Sequence, residues 1–192
     1  RFESGLLNHT RTEPAIMRAL SNLNPSQAMY YLGNRLPIRD WNVAASLDPA
    51  HPICYASRGA NGIDGQVATF LGLSEGEEES WGVLGDLTAL YDLNAPALLE
   101  QMSTARRRIV VINNGGGKIF SRLPSLAGLP TTQKRVTENH HEQSFESWAS
   151  LWGMNYVSWK AEDSAPSVEG DCVVVEVIPS QAETESFWEN WK

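Results

Sequence analysis

The chain has 192 residues, 42% of them hydrophobic and 20% charged, an ordinary composition for one globular domain with a substantial core. A formal charge of −8 argues against nucleic acid or an anionic membrane surface as the main partner. No apolar run reaches the ~18 residues needed to span a bilayer, no signal peptide is evident, and Cys54 and Cys172 have neither zinc-site nor redox spacing.

Both cysteines sit inside apolar, strand-like runs, so they are expected as buried free thiols in a reducing compartment, the cytoplasm. One domain is expected over 1–192, with 1–9 a linker or tail. The first residue is Arg rather than Met, which suggests an excised domain or a processed chain.

Thr12 to Leu23 reads as a helix with Thr12 as N-cap, Pro14 in the first turn and Ile16, Leu20 and Leu23 on one face; Asn24-Pro25 should stop it. Ala28 to Leu32 is a buried strand ending in Gly33-Asn34-Arg35-Leu36-Pro37-Ile38-Arg39-Asp40, with a helix from Trp41 to Leu47. Pro52 to Ala56 is the next strand. It runs into Ser57-Arg58-Gly59-Ala60-Asn61-Gly62-Ile63-Asp64-Gly65 and a helix to about Leu73, and Glu75 to Ser80 reads as an acidic solvated loop.

The apolar run Trp81 to Leu84 ends in Gly85-Asp86, and Ile109 to Ile112 ends in Asn113-Asn114-Gly-Gly-Gly117. With a helical stretch between, broken by Pro96 into two shorter helices, this is a βαβ unit. Arg106-Arg107-Arg108 is expected at a helix C-terminus and its following turn. Pro124 to Asn139 reads as a mobile loop, and His140-His141 as a solvated pair before a helix from Glu142 to Gly153 that aligns Phe145, Trp148, Ala149 and Trp152. Tyr156 to Trp159 and Cys172 to Ile178 are strands, and Glu185 to Lys192 a short amphipathic helix. The alternation of strand and helix predicts an α/β fold, a mainly parallel sheet with helices on both faces.

In such sheets ligands bind beyond the carboxyl ends of the strands, where both polar clusters fall. Asp86 and Asn114 would meet there and offer hard oxygen atoms suited to Mg²⁺ beside a phosphate. Glycines at strand ends let backbone N–H groups approach a phosphate closely.

A Gly-Asp pair after one strand and Asn-Asn after the next resembles the Mg²⁺ motif of thiamine-diphosphate enzymes. Four stretches together resemble one family. These are Gly33-Asn-x-Leu-Pro-Ile-Arg39-Asp, Ser57-Arg-Gly-Ala-Asn-Gly-Ile-Asp-Gly65, Gly85-Asp-Leu-Thr-Ala-Leu-Tyr-Asp-Leu-Asn94 and Asn113-Asn-Gly-Gly-Gly-Lys-Ile-Phe-Ser121. The family is the 2-succinyl-5-enolpyruvyl-6-hydroxy-3-cyclohexene-1-carboxylate synthases of menaquinone biosynthesis, and the likeness is close over 30–125.

The resemblance implies the C-terminal, diphosphate-binding domain of a transferase that uses thiamine diphosphate and Mg²⁺ (or Mn²⁺). That enzyme decarboxylates 2-oxoglutarate and adds the resulting carbanion to isochorismate. It further implies metal contacts from Asp86, Asn114 and the Gly116 carbonyl, with Asn113 the alternative to Asn114. Gly85, Leu87 and Thr88 would line the diphosphate and Ile63 would hold the cofactor bent. Arg39 and Arg58 would bind substrate carboxylates, and Ile119, Phe120 and Leu123 would form the apolar side of the pocket. Arg35 stands where the family has a small hydroxyl residue, and would add a carboxylate contact or crowd the pocket.

No stretch resembles the family's pyrimidine-binding domain, which carries the activating glutamate. No catalytic residue is therefore expected in this chain, the isolated domain is expected to be inactive, and the glutamate is expected from a partner subunit in a homodimer or homotetramer. Two rival readings are another thiamine-diphosphate lyase or synthase acting on a different 2-oxo acid, and a non-catalytic binding or assembly module.

Overall fold

A computed structural model describes residues 2–23, 28–46, 53–120, 123–160 and 168–191. The expected helix stop at Asn24-Pro25, the helix end at Leu47 and the strand start at Pro52 lie outside them. Six strands, β1 (Met29–Leu32), β2 (Cys54–Ala56), β3 (Glu79–Gly85), β4 (Arg106–Ile112), β5 (Asn155–Trp159) and β6 (Cys172–Val177), form one sheet in the order β2-β1-β3-β4-β6-β5. Every pairing is parallel. The predicted α/β class is borne out.

Strand alternation divides the core into two layers. Tyr30, Leu32, Val83, Val110, Ile112 and Val175 face α1 (Phe2–Asn8), α2 (Glu13–Leu23), α3 (Leu36–Ala44) and, through Phe187, the last helix Gln181–Trp191. Met29, Tyr31, Leu84, Ile109, Val111 and Val174 face α4 (Gln66–Leu73), α5 (Asp86–Leu90) and the helix Glu146–Leu151. Gly82 makes the second layer close: a Cβ there would meet the Phe70 ring at 2.7 Å.

Several elements differ from expectation for identifiable reasons. Residues 2–8 are helical, and α1 docks through buried Leu6 and the edge-on contact of Phe2 with Phe187 and Trp191. Helix α3 begins at Leu36, because Pro37 suits a first turn where no N–H is needed.

Arg106, Arg107 and Arg108 belong to β4 and not to a helix end. Arg107 and Arg108 are buried because their guanidinium groups are paired. Arg107 donates to Ser74 Oγ, the Ser103 carbonyl and Glu75; Arg108 donates to the carbonyls of Gly170 and Val168.

The stretch expected as a mobile loop holds α6 (Pro124–Ala127) and α7 (Thr131–Thr137), and the later helix, α8, is shortened to Glu146–Leu151. The last helix, α9, starts earlier than expected, at Gln181. Cys54 is exposed, since β2 is the sheet edge, while Cys172 is half-buried and its thiol is pushed up to about 11 by burial. Among the described residues no helix is long and apolar enough to cross a membrane.

Candidate cofactor and metal site

The chain runs from β1 outward to β2, then returns to place β3 on the other side of β1. Strand order reverses between β1 and β3, and the crevice beyond such a reversal is where open α/β sheets bind ligands. A cavity of about 220 Å³ lies there, lined by residues following β1 (Asn34 to Pro37, Asp40), β3 (Gly85 to Thr88) and β4 (Asn114, Gly116 to Phe120). Glu13, Met17, Ile63, Tyr91 and Thr137 to Asn139 complete the wall.

Asp86 opens α5 immediately after β3 and is 3% exposed. Its Oδ1 accepts the Leu87 N–H at 2.6 Å and its Oδ2 the Gly116 N–H at 2.8 Å. Burial raises its pKa above the ordinary value, against the opposing pull of those N–H groups and of His141.

The two asparagines after β4 are treated differently. Asn113 is turned into the fold: its Nδ2 donates to Glu176 Oε1 at 2.5 Å and to the Gln143 carbonyl at 2.8 Å, and its Oδ1 accepts the Gly115 N–H. Asn114 lines the cavity. Its Nδ2 donates to Glu13 Oε1 at 2.5 Å, while its Oδ1 is buried with no hydrogen-bond partner.

A buried acceptor without a donor is costly unless something else meets it. With the Asp86 carboxylate and the Gly116 carbonyl, it makes a set of hard oxygen atoms of the kind Mg²⁺ prefers. The Gly116 carbonyl accepts the Lys118 N–H at 2.8 Å and retains a second lone pair. Among the described residues no group of three His, Cys, Asp or Glu side chains could hold a metal. The proposed set contains one such side chain and relies on the amide and carbonyl oxygens.

The charges agree with a cation. The cavity wall carries Glu13, Asp40, Asp86 and Glu138 against Arg35 and Lys118, and Lys118 is held by Glu138 at 2.6 Å.

Ile63 is placed on the wall by a polar clamp. Asn34 Nδ2 donates to the Ala60 and Gly62 carbonyls, and Gln66 accepts the Asn34 N–H while donating to the Gly62 carbonyl. Arg35 lies at the rim with φ 77°, an uncommon backbone state for a non-glycine residue, and donates to the Asn61 carbonyl.

The cavity thus brings together Arg35, Ile63, Gly85, Asp86, Leu87, Thr88, Asn114, Gly116, Ile119 and Phe120. It does not include Arg39, Arg58 or Leu123. Arg39 and Arg58 are exposed, the latter beyond edge strand β2, and Leu123 is 44% exposed.

Two neighbours of the site were not legible beforehand. His141, expected in solvent, has a side chain only 10% exposed, with Nε2 3.1 Å from Asp86 Oδ2. Its Nδ1 accepts the Gln143 N–H, while Nε2, for all its nearness to the carboxylate, is buried without a hydrogen-bond partner. The adjacent pair of histidines was the available signal. Glu13 resembles any acidic residue in a first helical turn, and nothing in its sequence context marks it.

No family model matches the chain. Among characterised proteins it is similar to several that bear the name 2-succinyl-5-enolpyruvyl-6-hydroxy-3-cyclohexene-1-carboxylate synthase. It is 40% identical over 182 residues to that of Bdellovibrio bacteriovorus, covering 94% of this chain and 33% of the relative. It is 39% identical over 190 residues to that of Akkermansia muciniphila, covering 97% and 36%. With the Yersinia pseudotuberculosis protein the values are 43% over 153 residues, 77% and 26%. The resemblance carried by the four motifs is borne out, and the chain spans about a third of the length of these curated relatives.

Proposed function

We propose that this chain, related over nearly its whole length to a third of those synthases, is the C-terminal part of one. It would hold the diphosphate of thiamine diphosphate through Mg²⁺. The reaction is decarboxylation of 2-oxoglutarate and addition of the remaining fragment to isochorismate, in the cytoplasm. The observation that carries the reading is the buried, unpartnered Asn114 Oδ1 on the same cavity wall as Asp86.

Asp86, Asn114 Oδ1 and the Gly116 carbonyl would hold the metal, and Gly85, Leu87 and Thr88 would line the diphosphate. Ile63 would supply apolar surface for the cofactor. When bound, thiamine diphosphate supplies the electron sink that makes loss of CO₂ from a 2-oxo acid feasible. Arg35 is the cavity's rim cation for a substrate carboxylate, a role suited to a planar fork that is always charged. Ile119 and Phe120 form the apolar side, and Arg39, Arg58 and Leu123, exposed beyond the cavity, would join them once a second domain closes the site. The glutamate that activates the cofactor comes from a pyrimidine-binding domain of a partner subunit, so the chain by itself is inactive.

Binding of thiamine diphosphate to the natural full-length protein should require Mg²⁺ or Mn²⁺ and be reversed by a chelator. CO₂ release from 2-oxoglutarate should depend on isochorismate and not occur with pyruvate as second substrate. Release with pyruvate would favour another 2-oxo-acid lyase. Metal-independent binding, or none, would overturn the cofactor reading, and synthase turnover by the 192-residue chain alone would overturn its dependence on a second domain.

A further inference from the structure

The geometry points to Glu13 as a positioning residue that sets which end of the Asn114 carboxamide faces the metal; this rests on the cofactor reading above. A carboxamide has a donor end and an acceptor end of nearly the same shape, and only its neighbours decide which way it points. An ionised carboxylate accepts and cannot donate. With Glu13 as a carboxylate, its 2.5 Å contact with Asn114 selects Nδ2 as the donor, and Oδ1 is turned away from Glu13. Rotated by half a turn, the side chain would set oxygen against carboxylate and present an N–H₂ group to a cation.

Glu13 is itself firmly held. It is 3% exposed at the start of α2, where Thr12 Oγ1 caps the helix by accepting the Ala15 N–H at 3.2 Å. Its own N–H donates to Thr184 Oγ1 of α9 at 3.4 Å. Ile16, Met17 and Leu20 on the same helix are fully buried against the sheet. The contact bridges 101 positions of chain, from the first long helix to the turn after β4. Glu13 thus transmits the rigidity of the packed helix to one oxygen atom. Glutamine in its place could offer Asn114 either an acceptor or a donor, and the orientation would no longer be dictated.

Position and charge must be separated, because any buried carboxylate near the site attracts a cation. A double-mutant cycle does this. Mn²⁺ affinity is measured by electron paramagnetic resonance on the full-length protein with saturating thiamine diphosphate, for wild type, Glu13→Gln, Asn114→Ala and the double variant. If Glu13 acts through Asn114, Glu13→Gln weakens Mn²⁺ binding about tenfold or more but has almost no effect once Asn114 is alanine. An equal loss in both backgrounds would show that Glu13 acts by charge alone and would overturn the assignment. Failure of the wild type to bind Mn²⁺ would overturn the cofactor reading instead. A second readout needs no metal: solvent exchange of the Asn114 side-chain amide protons should be about tenfold faster in Glu13→Gln, in line with loss of a charge-assisted hydrogen bond. Equal exchange rates would overturn the positioning role while leaving the cofactor reading intact.

Discussion

Asp86 Oδ2 accepts the backbone N–H of Gly116 at 2.8 Å, tying the ends of neighbouring strands β3 and β4 across 30 positions of chain. The bond makes two of the three expected metal contacts one unit. The carboxylate cannot move without the glycine turn, and that turn carries the carbonyl proposed as a ligand.

Asp86→Ala should abolish Mg²⁺-dependent binding of thiamine diphosphate and leave the fold largely intact. Its removal strips the Leu87 and Gly116 N–H groups of their acceptor, at ~1–3 kcal/mol for each one left unmet. Relief of a buried charge offsets part of that cost. Titration calorimetry and circular dichroism check both parts, and unchanged binding would remove Asp86 from the metal site.

The same residue should leave a pH signature in metal-free protein. Burial raises its folded pKa above the ordinary 3.8, so between those two values the native state holds more proton than the unfolded state. Stability contributed by this group therefore falls as pH rises from about 3.8 to the folded pKa, then levels off. Thermal melts in chelator should show the wild type losing ground to Asp86→Ala over that window, and saturating Mg²⁺ should remove the trend. Parallel profiles in chelator would contradict the raised value.

Gly116→Ala should be worse than its size suggests. Gly116 has φ +136°, and a Cβ there would meet the Glu138 carbonyl oxygen at 2.6 Å. Backbone strain alone costs about 1–3 kcal/mol, and the clash would push the segment after α7 off the turn. The expected result is a lowered Tm together with lost metal-dependent binding. Wild-type stability would mean that the 115–117 turn adapts freely.

Glu176 is the hidden support of the site. It is 1% exposed in β6 and accepts from Asn113 Nδ2, the Ser144 hydroxyl, the Phe145 N–H and the Tyr156 hydroxyl. Glu176→Ala leaves those donors facing a void, and a loss of about 3 kcal/mol or more is expected in chemical denaturation. Glu176→Gln, which keeps the shape, should cost less. Similar losses for both variants would locate the effect in ionisation and not in packing.

Much of the fold was readable because its signals are local. Apolar runs such as Val173–Val174–Val175 mark strands buried on both faces, and glycines and polar residues mark their ends. Thr12 as a cap acts within a few residues of itself, whereas Pro96, expected as a break, opens the short 3-10 helix Ala95–Gln101 after α5 has ended at Leu90. Arg107 was misread for the opposite reason. Three successive arginines look solvated unless one knows that Ser74, Ser103 and Glu75 wait beside the strand. The helices α6 and α7 were missed because the prolines, glycine and threonines in and between them imply a loop, and α7, which buries none of its residues, has no apolar face to signal it.

By itself the sequence determined the parallel α/β class and marked a candidate ligand site at the strand ends through Gly85-Asp86 and Asn113-Asn114. Those properties depend on residue type and short spacing. Only the tertiary structure decided which asparagine keeps a free oxygen. Asn113 is consumed by Glu176 and Asn114 is oriented by Glu13, and both partners lie far away in the chain. It also placed His141 against Asp86 and left Arg39 and Arg58 outside the cavity. Hydrogen-bond orientation and burial are properties of neighbours in space, and the packing of helices against the sheet sets those neighbours.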